Sequence, residues 1–225
     1  MSERYAVRGR TIVDLLDGQY PKIRTPLSYS GPFQLLIATM LSAQCTDAQV
    51  NHVTPILFER YTDARAMADA NLRDLERIIR STGFFHVKAS RIKEASKTIL
   101  SDFSGKVPST MHELITLPGV GRKTANIVLS AGFDRIDGIA VDTHVQRLAK
   151  RIGLSKEKSP EKIEQDLMRI TPKEMWSRFS LLLILHGRSI CNARKPMCEK
   201  CVLSKHCDYF KERENHKMSR LGHSS

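Results

Sequence analysis

The sequence predicts an all-α protein, and three observations support the prediction. Apolar residues recur at three- and four-residue spacing almost throughout the 225 residues, the periodicity of one helix face. No stretch alternates apolar and polar residues with the period of two that a half-buried strand requires. Helix punctuation is frequent, and a 41% hydrophobic content is enough to bury a core.

In chain order, Ser30-Gly31-Pro32 opens a run in which Phe33, Leu36, Ile37 and Met40 face inward. The helical segment from Asp47 to Arg60 contains Pro55, which removes a backbone donor and is expected to break or kink it. Asn71 stands as a cap before Leu72, Leu75, Ile78 and Ile79. Ser159-Pro160 and Thr171-Pro172 open two later helices, and Gly83, Gly153 and Gly187 read as helix stops. Residues 211–225 are polar with little to bury and are expected to remain disordered.

Lys and Arg outnumber Asp and Glu by 36 to 24, a formal charge of +12, which favours a polyanion, nucleic acid first, through counterion release. The densest apolar segment, Leu181 to Leu185, is too short to span a bilayer, and no basic start precedes an apolar run at the N-terminus. A soluble, intracellular protein with no membrane association is expected. Cys191, Cys198, Cys201 and Cys207 follow the spacing C-x6-C-x2-C-x5-C, whereas Cys45 stands alone in an apolar helical context as a small core residue. Such clustering points to a metal site, and zinc and a 4Fe-4S cluster both accept four cysteines. Between the first two cysteines, Arg194 and Lys195 sit in a loop tethered at both ends, either as phosphate contacts or as solvated charges.

Leu114 to Leu129 reads as a helix end, a Pro-Gly-x-Gly turn and a second helix. Gly119 and Gly121 allow positive φ and close backbone approach, and the second helix starts with unpaired amides, so a phosphate fits beside Arg122 and Lys123. Taken alone, Lys123 is a phosphate contact, and Asp142 is an N-cap for the helix whose apolar face runs through Leu148, Ala149 and Ile152.

Leu-Pro-Gly-Val-Gly-Arg-Lys-Thr-Ala at 117–125, Val-Asp-Thr-His at 141–144, Leu-Ser-Ala-Gln-x-Thr-Asp at 41–47 and the cysteine spacing following Leu-Ile-Leu-His-Gly-Arg at 183–188 resemble the motifs of the endonuclease III family, in its order and separations. The resemblance, over about residues 8–210, implies a two-lobed, all-α helix-hairpin-helix glycosylase fold. A helical barrel lobe would span 25–135, with the hairpin at about 112–131. An iron-sulfur lobe would join 1–24 to 136–210 and hold a 4Fe-4S cluster on the four cysteines.

The same resemblance implies a bifunctional DNA glycosylase and AP lyase, acting as a monomer on double-stranded DNA with damaged or abasic nucleotides, cytoplasmic and nucleoid-associated. Lys123 takes the position of the catalytic lysine and Asp142 that of the second essential group, with His144 structural. Gln44 would fill the stack left by a flipped base. Ser42 and Asp47 would lie near the pocket, unless they only cap helices. Arg194 and Lys195 would contact the DNA backbone. At 83–89 the sequence departs from the family's leucine, tyrosine and asparagine, making Phe84 the second wedge and putting substrate preference in doubt. Oxidised pyrimidines are the implied substrates. The alternatives are a mismatch-specific glycosylase of the same fold and a non-catalytic DNA-binding module.

Overall fold

The computed structural model describes residues 3–221. In chain order its helices are α1 (Glu3–Gln19), α2 (Pro32–Leu41), α3 (Asp47–Arg60), α4 (Ala64–Asp69), α5 (Leu72–Ile79), α6 (Phe85–Asp102), α7 (Met111–Leu114), α8 (Arg122–Phe133), α9 (Thr143–Ile152), α10 (Pro160–Ile170), α11 (Trp176–Ser189) and α12 (Asp208–Leu221). Short 3-10 turns occupy Arg80–Thr82, Lys173–Met175, Cys198–Lys200 and Ser204–His206, and no strand occurs among the described residues. The chain forms two compact units, one of Thr25–Asp137 and the other joining the N-terminal segment through Arg24 to Gly138 onward.

In the first unit α2 is the central helix. Its residues 35–41 are all buried, and it packs against α8, which contributes Ala125, Val128 and Leu129. Each buried Leu or Ile there contributes roughly 1.5–3 kcal/mol. Asn71 caps α5 by accepting from the amides of Arg73 and Asp74, and α4 and α5 close over α6. Pro55 does not break α3. It is solvent-exposed, so the carbonyl it leaves unpaired can meet water, while buried Val53, Thr54, Leu57 and Phe58 anchor both halves of the helix.

In the second unit α1 buries Ile12, Val13 and Leu16 against α10 and α11. Ser159 caps α10, whereas Thr171-Pro172 leads first into a 3-10 turn and only then into α11. Gly153 ends α9 with φ +87, as its position predicts. Gly187 is a correction: it lies inside α11, where a Cβ would come within 3.1 Å of His144, Arg147 and Leu148 on α9. Its lack of a side chain serves helix–helix approach, not termination. A second correction concerns the tail, since α12 runs to Leu221 in place of the disorder expected from 211. The helix is anchored at its start, where Asp208 pairs with Arg8 at 2.6 Å and Tyr209 and Phe210 pack on the core. Residues 222–225 lie outside the described residues.

Candidate active site and cysteine centre

The hairpin is built from α7, a turn and α8. Thr110 caps α7, its hydroxyl oxygen accepting from the Glu113 amide while the hydroxyl donates to the Glu113 carboxylate at 2.6 Å. Gly119 has φ +82, and a Cβ there would meet Arg91 Cβ at 3.0 Å, so the turn demands glycine. Gly121 differs from expectation: its backbone is extended, with φ −98. A Cβ would find open space there. Its consequence is chemical, because a glycine N-cap has no side chain to bond the first amides of α8. Those N–H groups and the positive end of the helix dipole therefore stay available to an anion. Arg122 is exposed at the first helical position, and Lys123 follows, half-buried, with no hydrogen bond or ion pair among the described residues.

Gln44 and Phe84, the two residues expected to act as wedges, lie in two turns of the same unit. Gln44 is exposed with φ +52, and Phe84 is 66% exposed with φ +48. Left-handed backbone at non-glycine residues is sparsely populated and persists where the surroundings impose it. Ser42 ends α2 and donates its hydroxyl to the Thr39 carbonyl at 2.8 Å. Asp47 occupies the first turn of α3, which Thr46 caps. Behind the turns, Lys88 is buried on α6 and donates to the carbonyls of Leu41 and Thr82, each at 2.7 Å. Burial holds its ammonium below the usual lysine pKa, opposed by the nearby Cys45 thiol.

In the other unit Asp142 is the N-cap of α9. Its Oδ1 accepts from the amides of His144 and Val145 at 2.8 and 2.9 Å, locking the carboxylate's orientation. His144 lies against Arg147, with 3.1 Å between Nδ1 and the guanidinium. Burial lowers its pKa, partly opposed by the Asp142 carboxylate.

The cysteine loop follows α11. Its four thiols form no disulfide, and Cys201 lies within electrostatic reach of Cys191, Cys198 and Cys207. Cys198 and Cys207 are buried and Cys191 and Cys201 half-buried; burial pushes Cys201 up to about 11 and raises Cys198 and Cys207, so holding them as thiolates needs a compensating cation. The surroundings are prepared for thiolates. Backbone amides donate to sulfur, from Leu203 to Cys201 and from Phe210 and Tyr209 to Cys207. The Arg151 guanidinium adds a contact to Cys191 Sγ at 3.4 Å. Among the described residues no three His, Cys, Asp or Glu side chains are grouped so as to hold a single metal ion. Four cysteines are a donor set that both zinc and a 4Fe-4S cluster accept. Arg194 and Lys195 are both exposed in the loop between Cys191 and Cys198.

Sequence reading missed the residues that hold this loop. Arg147 donates to the carbonyls of Gly187 and Cys191, while Arg151, one turn later, donates to those of Asn192 and Ala193. Their four-residue spacing on α9 was a legible signal, but their targets were not. His186, held neutral by burial with its pKa at about 4, sits 3.2 Å from Cys201 Sγ on one side and 3.0 Å from the Tyr20 hydroxyl on the other.

Residues 37–173 match a family described as HhH-GPD superfamily base excision DNA repair protein. Endonuclease III of Synechocystis sp. is 50% identical over 200 residues, covering 89% of this chain and 91% of its own. A non-covalent Endonuclease III–DNA complex superposes with a TM-score of 0.88 at 41% identity, covering 96% of this chain and 100% of that one. A trapped Endonuclease III–DNA covalent intermediate, an estranged-adenine complex, gives 0.89 at 41% identity, covering 95% and 100%. The uncapped hairpin, the capped aspartate and the four gathered thiols thus stand in a chain that belongs to the endonuclease III family of the HhH-GPD superfamily of base excision DNA repair proteins.

Proposed function

We propose that this chain removes oxidised pyrimidines from duplex DNA and cuts the strand 3′ to the resulting abasic sugar, with Lys123 as nucleophile and Asp142 as electrostatic partner. The coarser activity, a DNA glycosylase and AP lyase of base excision repair, follows from family membership. Lys123 carries the reading: an amine without a partner among the described residues, in the first turn of a helix whose N-cap glycine leaves its amides open to phosphate. Phosphate docking on α8 would bring that amine beside the deoxyribose, and binding there needs no base contact.

In the proposed sequence the damaged nucleotide is extruded, and Gln44 and Phe84 enter the vacated stack. The Lys123 amine, in its neutral form, attacks C1′. The C1′–N bond breaks, and the base leaves with its electron pair and takes up a proton. Asp142, oriented by its two amide donors, stabilises the positive charge that develops on the sugar. The amine loses a proton as the sugar ring opens to a protonated Schiff base. This acidifies C2′, whose proton departs, and the C3′–O bond breaks with the 3′ phosphate as leaving group. Water then hydrolyses the imine and regenerates the lysine.

Cys191, Cys198, Cys201 and Cys207 would hold a 4Fe-4S cluster. When bound it supplies the cationic centre that four clustered thiolates require and fixes the Arg194–Lys195 loop for backbone contact; purified protein should contain about four iron atoms per chain. The central test is borohydride reduction on a duplex carrying an oxidised pyrimidine. Wild-type protein should be trapped covalently on DNA, and Lys123→Gln should neither trap nor cleave. Trapping by Lys123→Gln would move the nucleophile to another amine. It would not be Lys88, whose Nζ is buried and engaged by two carbonyls.

A further inference from the structure

We infer that Lys88 is a positioning residue for base extrusion, a single buried ammonium that ties the Gln44 turn to the Phe84 turn so that both wedges enter the helix as one unit. The inference rests on the wedge reading of Gln44 and Phe84 given above. Four observations converge on it. Leu41 ends α2 three residues before Gln44, and Thr82 stands two residues before Phe84; the Lys88 Nζ donates at 2.7 Å to the carbonyls of both. The Lys88 backbone N–H closes the first turn of α6 on the Phe84 carbonyl at 3.0 Å, so one residue grips the Phe84 turn at two points. A second bridge joins the same segments, from Gln49 Nε2 on α3 to the Ser81 hydroxyl at 2.8 Å. Finally, both tips are left-handed at non-glycine residues, a conformation that needs enforcement from outside the turn.

The chemistry suits the task. Carbonyls at a helix end lack intrahelical donors and carry the negative end of the dipole, so the α2 terminus attracts a cation. Short charge-assisted bonds to two carbonyls make the ammonium a rigid strut. Phe84 and Val87 stand 66% and 62% exposed beside it, an apolar surface that nothing in this unit covers and that base stacking would use. Placing a wedge is demanding, since a misplacement of about 1 Å can cost on the order of 100-fold in rate.

Lys88→Met keeps the length and apolar stem and removes all three donors. On a duplex with 2-aminopurine beside the lesion, it should weaken the fluorescence rise that reports extrusion and slow single-turnover base release roughly 10- to 100-fold. β-Elimination at an abasic site in single-stranded DNA, which needs no wedge, should stay within about twofold of wild type. Wild-type extrusion in Lys88→Met would overturn the inference, as would an equal loss on single- and double-stranded substrates. If Lys88→Met fails to fold, Lys88→Gln takes its place, and amide exchange over 42–46 and 82–86 should accelerate in both stretches together. Acceleration in one stretch only, or in neither, would also overturn it. Gln44→Ala and Phe84→Ala separate the two levels: if neither alters extrusion, the wedge reading fails, whereas a defect in them with none in Lys88→Met rejects the strut alone.

Discussion

The first turns of α8 and α9 carry the two proposed reacting residues and are built in opposite ways. α8 begins at Gly121, which offers no cap, so its amides face outward and Lys123 emerges from a turn still able to bind an anion. α9 begins at Asp142, whose carboxylate accepts two of its own helix's amides and is thereby oriented. One terminus recruits an anion from outside, and the other contains its own. The difference comes from a single position: glycine leaves the helix dipole open to an anion, and aspartate uses it to orient its own carboxylate.

The largest expected effect comes from Asp142. Asparagine caps about as well as aspartate, so Asp142→Asn should keep its thermal midpoint while base release slows by about 2.7–4 kcal/mol of transition-state stabilisation, measured in single-turnover assays. Asp142→Ala should lose that rate and also about 1 kcal/mol of stability. Normal turnover by Asp142→Asn would reduce the residue to a cap and erase the contrast with α8.

The two hairpin glycines should separate next. Gly119→Ala forces a positive φ on a residue with Arg91 Cβ 3.0 Å away, and denaturant unfolding should report a loss of more than about 1 kcal/mol. Gly121→Asp meets no steric obstacle and would convert the first turn of α8 into a copy of that of α9. Stability should rise by a few tenths of a kcal/mol, while duplex affinity falls about fivefold as a carboxylate takes the phosphate's place, about 1 kcal/mol. A stabilised variant with unchanged affinity in fluorescence anisotropy would mean that the bare amides never meet phosphate. The smallest effect belongs to Arg194. Arg194→Ala should weaken binding to damaged and undamaged duplexes alike and lower the log–log salt slope by about one unit. Altered lesion preference at an unchanged slope would contradict a backbone contact.

Sequence by itself determined what depends on neighbours within one helical turn. The helical class, the Asn71, Asp142 and Ser159 caps and the Gly153 stop were legible because a capping side chain or a left-handed glycine acts on amides and carbonyls two to four residues away. The spacing of the four cysteines belongs here too. Tertiary structure decided whatever depends on partners remote in the chain. Pro55 stays in α3 because buried neighbours hold both halves, and Gly187 lies within α11 because α9 presses on it. The first turns of α12 are anchored by Arg8, 200 residues away, and Arg147 and Arg151 reach carbonyls some 40 residues distant. Lys88 is the sharpest case. In sequence it is one of 36 basic residues, and only folding, by bringing the Leu41 carbonyl, 47 residues away, beside that of Thr82, turns a surface-type side chain into a buried strut.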